Sequence, residues 1–198
     1  ASDTLRSVLT PVIEILAGIP SIVYGFFGMV VVAPFLQDLL SIPTGLCAFT
    51  ASLVLGIMAI PTIASLSEDA LSFVPRSFRE ASLALGATRW QTLTRVVMPA
   101  AGSGISTAII LGMGRAVGET MTVLMVAGGA AVVPKSLFDP VRPMTSTIAA
   151  EMGEAVVGSL HFSALFAIGL FLFVITLGIN VMAEIISRRF RLKLGIGR

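Results

Sequence analysis

Cysteine, histidine, tryptophan and tyrosine each occur once in this chain of 198 residues, and only 12% of its residues are charged. A single cysteine excludes an intrachain disulfide and a cysteine-based metal site, and Cys47, set in an apolar run, reads as a small core residue. A single histidine, His161, opens an apolar run with no second imidazole and only the isolated Glu154 nearby. An interfacial position is expected for it, with no metal site. No Ser-His pair, Asp pair or His-Glu-x-x-His arrangement falls in an apolar run, so no catalytic residues are assigned. Also missing is Gly-x4-Gly-Lys-Ser/Thr, without even a Gly-Lys pair to begin one. The chain therefore lacks the phosphate-cradling loop of an ATPase, and no cofactor is expected.

What the sequence has in excess is apolar length. Hydrophobic residues make up 56% of it and the mean hydropathy is +0.98, far outside the range of soluble domains. Gly18 to Gln37 and Leu39 to Ser67 are free of Lys, Arg and Glu, with Asp38 between them. Each suffices for the roughly 20 residues that cross a bilayer. Pro20, Pro34, Pro43 and Pro61 predict kinks or helix ends, which neighbouring helices in a bundle satisfy. A polar segment from Glu68 to Arg95 follows, then a long apolar run through Gly129, a mixed stretch from about Ala130 to Leu160, and a last apolar run from Leu160. The expectation is an all-α, polytopic helix bundle of about four spans. The start, ASDTLRSVLTP, has neither an initiator Met nor a signal-peptide pattern, so upstream helices are expected to be missing.

Orientation follows from Lys and Arg placement. Arg6, Arg76, Arg79, Arg89, Arg95 and the tail residues Arg188, Arg189, Arg191, Lys193 and Arg198 fall on one side, against Lys135 and Arg142 on the other. The middle loop and the C-terminus are expected in the cytoplasm. The tail reads as a topology anchor touching anionic membrane lipid rather than a nucleic-acid patch. Trp90 and Tyr24 suit interfacial positions. The nine methionines have no ligand spacing and read as packing. Glu151 and Glu154 are expected on the wet face of a short external helix.

The middle loop holds the densest local signals. Ser77 with Glu80, and Thr88 with Gln91, both have capping-box spacing, which predicts two short helices. Gly86 lies between them, where a left-handed cap favours a residue without Cβ, and Pro99 leads into the next span. The small Ala81 and Ser82 leave room for a partner surface. The reading is helix, sharp elbow, helix.

Further on, GRAVGET places Arg115 and Glu119 four residues apart inside the third apolar run. A continuous helix from about Ala100 to Gly129 sets both charges near mid-bilayer on one face, at a cost of about 2.5 to 3.5 kcal/mol per unpaired charge. Gly114 and Gly118 have the Gly-x3-Gly spacing of close helix packing. Intramembrane charge of this kind marks a substrate pathway, with a locked ion pair as the plainer possibility.

Glu80, Ala81, Ser82, Gly86, Val96, Met98 and Pro99 resemble, in spacing throughout, the E-A-A-x3-G-x9-I-x-L-P loop of ABC importer permeases; Ser82, Val96 and Met98 are conservative departures. LAGIPSIVYGFFG (Leu16 to Gly28), PTIASLSEDAL (Pro61 to Leu71) and GRAVGETM (Gly114 to Met121) are similar to the phosphate-specific permeases, and the Met after GET is closer to their C-type subunit. The resemblance implies one MetI-like ABC transmembrane domain over residues 1–198, with a coupling loop over about 68–99. It also implies a bacterial inner-membrane location, a second, PstA-like permease, a PstB-like ATP-binding dimer that carries ATP hydrolysis, and a PstS-like phosphate-binding protein. Arg115 and Glu119 would then line the phosphate path. A permease for molybdate or sulfate is the near rival. A proton-coupled secondary transporter would also want an intramembrane Arg and Glu, but no docking elbow.

Overall fold

The computed structural model describes the backbone of residues 3–193 and the side chains of residues 10–182, 184 and 185. The basic tail, Arg188 to Arg198, and Arg6 carry the orientation argument on side chains outside the described residues. After α1 (Asp3–Gly18), the first span runs from Ser21 to Leu40 in three pieces: α2 (Ser21–Phe27), a π-turn segment (Gly28–Val32) and α3 (Ala33–Leu40). Pro34 explains the middle piece. It offers no N–H, and its ring crowds the carbonyl four residues back, so the ladder widens ahead of it and the Ala33 N–H reaches back five residues to the Gly28 carbonyl.

Ser41 ends α3 in the left-handed region, at φ 51°, and residues 41–47, with Pro43 and Gly45, form an irregular linker. The second span, α4 (Ala48–Ser72), contains Pro61 and runs through the first residues assigned to the polar loop. α5 (Arg76–Ala84) and α6 (Arg89–Thr92) follow. A second π-turn segment (Leu93–Val97) repeats the first device: Pro99 lies two residues beyond it, and the Met98 N–H binds the Leu93 carbonyl.

The third apolar run corrects the expectation of one helix from Ala100 to Gly129. α7 (Met98–Ala100) bends at Ala101 into α8 (Gly102–Val117). The pair Arg89–Ala100 and Gly102–Val117, bent by 66°, is the stretch long and apolar enough to cross as one broken span. α8 stops at Val117, Gly118 to Thr120 are non-helical, and α9 (Met121–Val126) restarts the chain. α10 (Met144–Glu151) is short. α11 (Leu160–Lys193) supplies the last apolar span, Leu160–Met182, of which only 6% is buried. Its Leu170, Phe171, Phe173 and Val174 face outward, as lipid-facing or subunit-facing residues do.

The chain divides into two compact units. The first comprises Ala1–Glu14, Ile60–Gly114 and Gly178–Arg198. Its core gathers Val74, Val97 and Ala101, with Leu71, Ala100 and Ile105 against them. Here α8 approaches α4 through glycines other than those expected. A Cβ on Gly104 would stand 2.5 Å from that of Ala70, and one on Gly112 would collide with the Ile63 side chain. Gly114 leaves ordinary room, 3.7 Å to Asn180 Oδ1, and Gly118 is past the helix end. Gly-x3-Gly makes a packing face only where both residues share a helix.

The second unit comprises Ile15–Ala59 and Arg115–Leu177. Ala51, Val123 and Ala127 form its core with Leu55 and Val141. α2 at Gly25 and the π-turn segment at Gly28 lie against α9: added Cβ atoms would come within 3.1 Å of Thr122 Cα and 2.9 Å of Val126 Cγ2. The first two N–H groups of α4 are satisfied from downstream: Ala48 donates to the Asp139 carbonyl (3.2 Å) and Phe49 to that of Leu137 (2.7 Å). The Asp139 carboxylate in turn holds its own loop through the Lys135 and Ser136 N–H groups. Glu151 ends α10 and joins Arg142 to His161, whereas Glu154 lies beyond the helix; the single wet face expected for the two glutamates is not formed.

Candidate substrate pathway and coupling elbow

The elbow is built by local rules. α5 begins two residues earlier than the Ser77–Glu80 spacing predicts. Pro75 occupies the cap position with φ −55°, its carbonyl receives the Phe78 N–H, and no side chain caps the helix. Ser77 is already inside the first turn, so that capping box is not formed. The C-terminus matches expectation: Gly86 has φ +83°, its N–H binds the Leu83 carbonyl, and the Ala87 N–H binds that of Ser82. This double bond pattern satisfies the last carbonyls of α5 and needs a left-handed residue, a role in which glycine is least strained. α6 opens with the predicted box: the Gln91 N–H donates to Thr88 Oγ1 (3.2 Å), and the Thr88 N–H donates to Gln91 Oε1 (2.9 Å).

Around this turn Glu80 and Ala81 are exposed and Ser82 is half-buried. Val96 is half-buried within the π-turn segment, its neighbour Val97 is the core residue at 2% exposure, and Met98 and Pro99 lie exposed in α7. Trp90 is 72% exposed in the first turn of α6. Two contacts were not anticipated. Arg79 Nη2 donates to the Leu71 carbonyl (2.8 Å), closing the end of α4, and the Ser82 and Thr92 hydroxyls meet at 3.0 Å. Neither pair has a spacing that marks it in the sequence.

The GRAVGET segment is not one helix face but a helix break. Arg115 is exposed in the last turn of α8, where the negative end of the helix dipole favours a cation. Glu119 is half-buried just before α9, and its Oε1 accepts the Thr122 N–H (3.3 Å); an anion there faces the positive end of the next helix. The break is pinned from two other segments. Thr145 Oγ1 donates to the Glu119 carbonyl (2.8 Å), and the buried Thr122 donates through Oγ1 to the Ser21 carbonyl (2.9 Å). Thus Arg115 and Glu119 lie on either side of a helix end and not on one continuous helix. Among the described residues no group of three or more His, Cys, Asp or Glu has metal-binding geometry.

The profile of the family described as "Binding-protein-dependent transport system inner membrane component" matches residues 1–192. The chain belongs to this family. Among curated members it is 44% identical, over 93% of its length, to the probable ABC transporter permease protein YqgH of Bacillus subtilis. It is 39% and 37% identical, over 96%, to the phosphate transport system permease proteins PstC of Mesorhizobium japonicum and Haemophilus influenzae. It spans 60%, 64% and 66% of those three proteins respectively. The same inner-membrane-component fold is seen in the inward-facing MetNI methionine ABC transporter, with a TM-score of 0.73 at 23% identity, covering 96% of this chain and 77% of that one. The all-α bundle, with its elbow between the second span and the bent pair, is therefore a MetI-like permease fold.

Proposed function

We propose that this chain is a transmembrane permease subunit of an ATP-driven phosphate importer and forms the translocation pathway with a second, PstA-like permease. The observation that carries the reading is Arg115 at the break between α8 and α9, in a chain 37–39% identical along 96% of its length to proteins named as phosphate permeases. The planar guanidinium offers paired donors that match phosphate oxygens, and it is exposed in the last turn of α8. Glu119 tempers that attraction and holds the start of α9. Passage requires weak and brief binding, so one arginine with a nearby carboxylate suits a path better than a cluster of cations.

Energy comes from outside the chain. In this reading the elbow, residues 68–99, faces the cytoplasm and docks on a PstB-like ATP-binding dimer, while Lys135 to Gly158 face a PstS-like phosphate-binding protein on the other side. The balance of ten basic residues against two supports that orientation. The test is uptake by reconstituted vesicles of the full complex, with labelled phosphate, sulfate and molybdate, with and without internal ATP. ATP-dependent phosphate uptake is expected. Uptake of sulfate or molybdate in preference would reassign the substrate, and uptake without ATP would remove the importer reading.

A further inference from the structure

We infer that Ser82 and Thr92 form a hydroxyl clamp that makes α5 and α6 move as one lever, so that movement imposed on α5 reaches the π-turn segment and α8. The inference rests on the coupling role proposed above and names the positioning residues within it.

Each helix end at the elbow is satisfied by its own neighbours: α5 by the Gly86 and Ala87 N–H groups, α6 by the Thr88–Gln91 box. Those bonds fix where the helices stop and start. They leave the angle between them to other contacts. Apolar packing does not fill that angle, because a groove of about 470 Å³ opens there, lined by Leu71, Leu83, Leu93 and Val97 with Arg79, Arg89 and Thr92 itself. Among the described residues, the hydrogen bond that crosses from α5 to α6 is the one between Ser82 Oγ and Thr92 Oγ1, at 3.0 Å. Thr92 is only 5% exposed although it borders the groove, and an unpaired hydroxyl at that depth is costly. Thr92 is also the last residue of α6, directly before the π-turn segment that leads through Pro99 to the bend at Ala101. A stiff joint between Ser82 and Thr92 therefore carries displacement into the broken span, and a loose joint absorbs it. Ser82 is also one of the positions at which the chain departs from the alanine of the E-A-A pattern, and the hydroxyl gained there is the one that reaches Thr92.

The experiment measures phosphate uptake and ATP hydrolysis in the same vesicles containing the full complex and binding protein. In the double variant Ser82→Ala/Thr92→Val both hydroxyls go together, so no buried group is orphaned and assembly is retained. Phosphate moved per ATP should fall about fivefold or more, while Thr92→Ser, which keeps the hydroxyl, stays at the parent ratio. A second pair, Ser82→Cys/Thr92→Cys, replaces the clamp by a bond that can be opened at will. Its ratio should match the parent when oxidised and fall on reduction. An unchanged ratio in the double variant, or equal ratios in the oxidised and reduced forms, overturns the clamp. Absence of ATP-driven phosphate uptake in the parent complex would instead overturn the importer reading, so the two failures are distinguishable.

Discussion

The carboxylate of Glu119 accepts the backbone N–H of Thr122 at 3.3 Å, which makes Glu119 a support for the start of α9 as well as a charge beside the proposed path. Arg115 occupies the opposite pole, the last turn of α8. Each charge sits at the helix end whose dipole favours it, by about 0.3 to 1 kcal/mol.

That arrangement separates the two residues by experiment. Arg115→Gln should lower phosphate uptake by about two orders of magnitude, the scale of lost charge-assisted bonds, with the complex assembled and ATP hydrolysis retained. Glu119→Gln keeps an acceptor for Thr122 and should leave the melting temperature nearly unchanged while altering uptake. Exchanging the two charges puts each at the unfavourable pole and should destabilise by about 1 to 2 kcal/mol without restoring transport. Full uptake by the exchanged protein would reduce the pair to a structural one.

Gly86 holds φ +83° with open space around it, so strain and not collision opposes a side chain there. Gly86→Val should cost about 1 to 2 kcal/mol and weaken co-purification with the ATP-binding subunit. Gly86→Asn, which tolerates the left-handed region, should be milder. Equal retention of the ATP-binding subunit by both variants and the parent would remove this turn from docking.

At Gly112 the opposite holds, because the conformation is ordinary and the space is taken by Ile63. Gly112→Ala should destabilise by about 1 to 3 kcal/mol through overpacking, and Ile63→Ala in the same protein should recover part of it. Thermal unfolding in detergent of the single and double variants measures the rescue; simple addition of two losses would contradict the contact.

Sidedness is checked with cysteines at exposed positions. Ala84 and Ser136 are both exposed, and the native thiol, Cys47, is fully buried. In intact cells a membrane-impermeant reagent should label Ser136→Cys and spare Ala84→Cys until the membrane is opened. The reverse pattern would invert the topology.

The legible parts of this molecule were those whose cause is local. Gly86 and the Thr88–Gln91 box act within a few residues, so their spacing alone placed the elbow. Apolar length placed the spans for the same reason. Ser77–Glu80 misled because Pro75, with a preset φ, starts α5 ahead of it. The break at Gly118 to Thr120 was illegible because apolar residues resume at Met121 as they would in one helix, while bonds that stabilise it come from Ser21 and Thr145. Gly112 and Gly104 carry no local mark either, since what makes them necessary is Ile63 and Ala70 on another helix. Pro34 and Pro99 did signal a disturbance, but not that the ladder would widen by one residue ahead of each.

The N–H groups that open α4 wait on the carbonyls of Leu137 and Asp139. Residues 48 and 49 leave the ribosome before residues 137 and 139, so the second span is made with its first turn uncapped by its final partners. Completion of an early helix is thereby tied to arrival of a later loop. A chain halted between the two would hold all the apolar length of α4 and none of its lock, which gives membrane quality control a chemical difference, exposed amide donors at a helix end, by which to tell an unfinished subunit from a finished one.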